Sequence, residues 1–112
     1  YIESKKMPYK IYTTPEFDRL FEELSKDDQI EINQLTKEEL PENPYQGRAL
    51  GFKFFREKRI KGRRVYFLIY EDYILVLMVA IGDKKTQKKD IAQIKINREA
   101  YLKLAEDLSK EI

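Results

Sequence analysis

The stretch GFKFFREKRIKGRRVYFLIYEDYILVLMVAI, residues 51–81, decides the fold. Its aromatic and β-branched residues fall into three runs. Residues 52–60 run up, Lys61-Gly62 turns, residues 63–71 return, and residues 73–81 run up again. An x-Gly pair between two β-rich runs signals a two-residue hairpin, because such turns need φ > 0 and Gly62 offers it without a Cβ penalty. With that loop, Ile60 faces Arg63, Arg59 faces Arg64, Glu57 faces Tyr66 and Phe55 faces Leu68. Side chains alternate along a strand. Phe52, Phe54, Val65, Phe67 and Ile69 therefore share a core face, and Lys53, Phe55, Glu57, Arg59, Arg64, Tyr66 and Tyr70 share a working face. A slip of one residue exchanges the two sets.

Positive charge collects on the same hairpin. Residues 53–64 carry seven bases and one acid, Glu57, and residues 84–89 carry four lysines. Residues 16–42 are the reverse, with ten acids and three bases. A net charge of +2 thus hides a polarised molecule, and a basic surface points to a polyanion, nucleic acid first. Arg59 opposite Arg64 is an unfavourable cross-strand pair unless an anion sits between them.

Working outward, residues 8–13 alternate weakly and read as a first strand at a sheet edge. Thr14-Pro15 starts a helix, Thr as N-cap and Pro at the first helical position. Phe17, Leu20, Phe21 and Leu24 make its apolar stripe. Residues 26–28 break it and cap a second helix, about 29–40, which buries Ile30, Ile32 and Leu35 and stops at Pro41. Residues 41–50 form a polar loop. After the sheet comes a basic loop, 82–89. Asp90 then caps a last helix in a capping-box arrangement with Gln93. Ile91, Ile94, Tyr101, Ala105, Leu108 and Ile112 form its apolar stripe, and a break near Asn97 fits the pattern. The order β-α-α-β-β-β-α gives an α+β class: a twisted antiparallel sheet, an N-terminal helical hairpin and a C-terminal helix. At 112 residues one domain, 1–112, is expected, with 1–7 loose.

There are no cysteines and no histidines, which removes disulfides, thiolate metal sites, the commonest general base and the commonest metal ligand. No metal and no cofactor are expected. No apolar run reaches the length of a membrane span, so a cytoplasmic chain is expected.

Four stretches together resemble the RelE/ParE superfamily of toxins from toxin–antitoxin pairs. PYKIYTTPEFDRLFEEL is similar to that family's first strand and opening helix, ENPYQGRAL to its NP-x-x-G-x-x-L approach to the sheet, and FREKRIKGRRVYFLIY to its hairpin. VLMVAIGDKKTQKKDI is similar to its last strand and basic loop, nearest the HigB-like branch. The resemblance implies a small α+β microdomain held inactive by a cognate antitoxin. RelE-like and HigB-like members cut mRNA, usually at the ribosome, whereas ParE-like members poison DNA gyrase without chemistry; a degenerate RNA-binding member is a third alternative.

By position, the resemblance implies that Arg64 contacts the scissile phosphate, with Arg59, Lys61, Lys84 and Lys85 at the family's other basic positions. The family's terminal Tyr or His has no counterpart here. Arginine suits phosphate because its planar fork binds two oxygens and stays charged. Glu57 is a candidate general base or simply a charge partner for Arg59 or Arg64. Tyr66 is a candidate acid or an ordinary packing residue, and Lys84 or Lys85 a candidate acid. Lys53, Lys61, Arg63, Gln87, Lys88 and Lys89 are expected to grip RNA, and Phe55 to stack a base or pack under the last helix. Loss of Arg64 is expected to relieve toxicity without unfolding the chain. Convergence of Glu57, Arg59 and Arg64 on an open face near Lys84 would support the nuclease; a Glu57 closed into a core ion pair would weaken it.

Overall fold

The structure, a computed structural model, describes residues 7–111. Residues 1–6, expected to be loose, and Ile112, expected in the last apolar stripe, lie outside the described residues.

Thr14 ends the first strand, β1 (Lys10–Thr13), and its hydroxyl accepts the Phe17 N–H at 3.1 Å, capping α1 (Pro15–Glu22). Ser25 caps α2 (Lys26–Gln34) in the same way through the Asp28 N–H. α2 then widens into a π-turn, Leu35–Glu39, closed by Leu40 N–H donating to Leu35 C=O at 2.9 Å. Residues five apart on an ordinary helix point in different directions; the wider turn brings Leu35 and Leu40 round to the same side, and both are buried. Ile30, expected in the core, is 60% exposed, because only Ile32 of this stretch keeps phase with Leu35.

The hairpin forms with the expected register. β3 (Phe55–Ile60) pairs with β4 (Arg63–Tyr70), Ile60 opposite Arg63 and Phe55 opposite Leu68. Positive φ at the turn falls on Lys61 (55°) rather than on Gly62. β5 (Leu75–Asp83) follows a short 3-10 turn and pairs antiparallel with β4, with a bulge between Tyr66 and Phe67. β1 lies at the sheet edge, as expected, but pairs with β5 in parallel rather than antiparallel, and one strand is added to the expected sheet: the two-residue β2 (Arg48–Ala49), which pairs with β3. The order is β1-β5-β4-β3-β2.

The last helix begins at Gln87 instead of Asp90 and is broken at Asn97, giving α3 (Gln87–Ile96) and α4 (Arg98–Ser109). Asp90 lies in the first turn, where it accepts from the Thr86 hydroxyl at 2.6 Å.

Helices cover both faces of the sheet. α1 and α2 close the face of Val65, Phe67, Ile69, Val76 and Met78. α3 and α4 close the face of Phe55, Tyr66, Leu68, Leu77 and Val79. The face expected to stay open is therefore a second core over most of its length. Phe52 and Phe54, expected in the core, precede β3 and stack on one another at the surface, 40% and 38% exposed. β3 starts only at Phe55, so strand alternation does not govern them.

Candidate functional site

The polar residues of the second face gather where β3, β4 and β5 run out towards the hairpin and α3 begins. Arg59, Arg64 and Gly82 sit opposite one another in register across the three strands. With strands about 4.8 Å apart, the row spans roughly 10 Å. Lys84 and Lys85 follow directly after β5.

Glu57 and Arg64 are 4% and 7% exposed. Arg64 Nη1 donates to Glu57 Oε1 at 3.1 Å, and Gln87 Nε2 donates to Glu57 Oε2 at 2.8 Å. Glu57 is thus closed into a buried ion pair with Arg64, while Arg59, opposite Arg64, makes no ion pair among the described residues. It is not an open base. Beside it, the Tyr66 hydroxyl is the only side-chain polar atom among the described residues that is buried without a hydrogen-bond partner. Among the described residues the remaining donors of Arg64 have no hydrogen-bond partner, and they are not fully buried. Burial first, then the charges of Glu57 and Asp90, push the Tyr66 hydroxyl well above its ordinary value, so it stays protonated.

Two glycines permit this packing. Gly47, at φ 78°, lies against the backbone carbonyl of Glu57, where a Cβ would collide. Gly82 leaves room for the Thr86 hydroxyl and the Asp90 carboxylate, which bring the first turn of α3 onto β5. The basic loop is pinned as well. Asp83 Oδ1 accepts from the Lys85 and Thr86 N–H groups at 2.9 and 3.1 Å, and the Asp83 N–H donates back to Thr86 Oγ1 at 3.1 Å.

The basic hairpin is much less basic in space than in sequence. Arg56 is consumed by the carbonyls of Tyr45 and Gln46. Lys61 and Arg63, expected to grip RNA, reach across to Asp28 of α2 at 3.7 and 3.6 Å, and Lys61 also to Glu31. Lys53 lies over the Tyr45 ring, at 5.1 Å from its centre. Phe55, a candidate for base stacking, is 1% exposed and packs beside Tyr66. Among the described residues, Arg59, Lys84, Lys85, Lys88 and Lys89 are exposed and make no ion pair. The structure therefore brings together Glu57, Arg64, Tyr66 and Gln87, puts Arg59, Lys84 and Lys85 at their rim, and leaves Lys53, Phe55, Lys61 and Arg63 out. Sequence reasoning passed over Thr86 and Asp90 as site-builders; a Thr four residues before an Asp at a helix start is the signal that could have found them.

No group of three His, Cys, Asp or Glu among the described residues is placed to hold a metal ion. No helix of the described residues is long and apolar enough to cross a membrane.

The architecture is that of the RelE toxins: an α+β fold with a five-stranded, mostly antiparallel sheet and four helices. Among solved structures, a double mutant of the E. coli toxin RelE in the free state superposes with a TM-score of 0.69 at 11% identity, covering 82% of this chain and 98% of that one. The RelBE2 toxin–antitoxin complex of Mycobacterium tuberculosis gives 0.60 at 14% identity, over 73% of this chain and 98% of that one. The intact E. coli RelBE toxin–antitoxin complex gives 0.61 at 13%, over 67% and 95%. At this identity the likeness is one of fold. No family model and no curated protein matches the sequence.

Proposed function

We propose that this chain is the toxin of a RelBE-type toxin–antitoxin pair, a metal-independent endoribonuclease that cuts mRNA at the ribosome in the cytoplasm and is silenced by a cognate antitoxin. The observation that carries this reading is the unpaired cationic rim. On a RelE fold, Arg59 lies across from the buried Arg64 and Lys84, Lys85, Lys88 and Lys89 follow β5, all exposed and without an ion pair among the described residues, while Lys53, Arg56, Lys61 and Arg63 of the hairpin are engaged elsewhere.

Metal-free cleavage needs the 2′-hydroxyl deprotonated, the crowded phosphate stabilised and the leaving 5′-oxygen protonated. Arg59 and the part of the Arg64 fork that is not fully buried suit the second task. Lys84 or Lys85 suits the third. Glu57 serves the second by holding Arg64, since both its oxygens are engaged. Tyr66 stays protonated and has no path to the surface, so it is given no proton to move.

One observation favours a second reading. The closed Glu57–Arg64 pair leaves the cluster without a free base, as suits a ParE-like inhibitor of a topoisomerase that performs no chemistry.

The test is induced expression with primer-extension mapping of several mRNAs, beside an Arg59→Ala/Lys84→Ala/Lys85→Ala variant. These residues are exposed, so the variant keeps its fold. New 5′ ends with the native chain, lost in the variant, support the nuclease. Growth arrest with intact mRNA and blocked supercoiling moves the assignment to the topoisomerase.

A further inference from the structure

Three contacts hold the start of α3 on the sheet. Two are local: Gly82 admits the Thr86 and Asp90 side chains, and Asp83 shapes the loop. The third is the 2.8 Å bond from Gln87 to Glu57, which joins residues thirty apart in sequence. Through it one carboxylate sets two things at once. Its Oε1 fixes Arg64 at the end of the sheet, and its Oε2 fixes the helical turn that carries Lys88 and Lys89.

The residue type matters. A carboxylate only accepts, so the amide nitrogen of Gln87 must face it. A neutral donor satisfies Oε2 without competing for the negative charge, which stays with Arg64. A lysine at this position would divide that charge.

We propose that Gln87 is a positioning residue: its bond to Glu57 latches the basic segment 84–89 beside Arg59 and Arg64, so that segment and sheet present one continuous phosphate-binding track to single-stranded RNA. The latch rests on the RNA reading above for its ligand, but on the geometry alone for its existence.

Gln87→Glu sets two carboxylates face to face and breaks the latch. In the purified full chain, amide exchange at Asp90 and Ile91, in the first turn of α3, is expected to quicken by at least ~10-fold, the scale of losing a buried bond to a charged group. The Kd for a 2′-O-methyl oligoribonucleotide, which cannot be cleaved, is expected to weaken by ~10-fold, with a smaller salt slope. The exchange of partners in Glu57→Gln/Gln87→Glu rebuilds an amide–carboxylate bond at the start of α3 and is expected to bring amide exchange back to within about threefold of native, while the Kd stays weakened because Arg64 loses its carboxylate. Gln87→Ala is the milder probe should the charged variant not fold; it is expected to move both readings in the same direction. Native exchange and native Kd in Gln87→Glu or Gln87→Ala would overturn the latch, as would amide exchange in the exchanged pair no slower than in Gln87→Glu. A native chain that fails to bind the oligonucleotide would remove the RNA track and the nuclease reading together, while the exchange measurement still decides the latch.

Discussion

The two faces of the sheet are built from alternate residues of the same strands, yet they bury different chemistry. Beneath α1 and α2 lie Phe17, Ile32, Leu35, Leu40, Val65, Phe67, Ile69, Val76, Met78 and Ile81, and the buried polar side chain beside them is Thr14, uncharged and bonded as the cap of α1. Beneath α3 and α4, a comparable cluster is interrupted at one end by Glu57, Arg64 and a partnerless Tyr66 hydroxyl. Desolvating charge is costly even when it is paired, and a hydrophobic pair of like volume would often serve stability as well or better. The first face explains why the chain folds. The second spends part of that stability on holding a guanidinium at the rim of a cationic surface, and that difference locates the candidate site.

The comparison breaks most sharply at its two centres. Phe67→Ala, in the apolar face, is expected to lower unfolding free energy by about 4 kcal/mol in urea titration, with RNA affinity of the folded chain unchanged. Arg64→Ala is expected to cost about 3 kcal/mol, because it strands the Glu57 carboxylate in the core. That corrects the expectation that Arg64 can be removed without harm to the fold: loss of toxicity in that variant would not by itself assign Arg64 a role. A Glu57→Leu/Arg64→Met double variant should return close to native stability and still lose RNA affinity. If the double variant is as unstable as Arg64→Ala, the pair is structural and the distinction between the faces falls.

Tyr66→Phe sharpens the contrast at one atom. It removes a buried hydroxyl that makes no bond, so a gain of about 1 kcal/mol is expected, with cleavage untouched. Lost cleavage would make Tyr66 an acid after all. The same substitution has a pH signature. The folded-state value of Tyr66 is raised above the ordinary value near 10, chiefly by burial. Above pH 10 the unfolded chain releases this proton while the folded chain keeps it, so stability present below pH 10 is lost as pH rises. Tyr70 acts in the same direction, also through burial. Urea midpoints of Tyr66→Phe should therefore fall less steeply than native ones above pH 10.

Most of the fold was legible because its signals are local. The Thr14-Pro15 helix start, the stripe on α1, the hairpin register and the break near Asn97 each depend on a few adjacent residues. The parts that stayed open or went astray are set by distant partners. Phe55 had two readings, stacking a base or packing under the last helix; the second is what the structure shows, and nothing in its own run chooses between them. The seven hairpin cations looked like one surface; Asp28 and Glu31 of α2, far away in sequence, neutralise two of them. In sequence Glu57 reads equally as base and as charge partner; the bonds that enclose it come from Arg64 and from Gln87, which by sequence reads as an RNA contact.

The smallest effect tests what sorts residues between the faces. The hairpin holds a lysine, not its glycine, in the left-handed region, at φ 55°. For a residue with a Cβ this costs on the order of 1 kcal/mol, relieved by glycine. Lys61 also makes long contacts to Asp28 and Glu31, 3.7 and 3.8 Å, from a half-exposed position where such pairs contribute little. Lys61→Gly is therefore expected to stabilise the chain by about 0.5 kcal/mol, read as a higher urea midpoint at constant slope. Destabilisation instead would mean that the pairs to α2 outweigh backbone strain. The turn would then be held from the apolar side of the sheet, and the polar end of the second face would depend on the helices of the first.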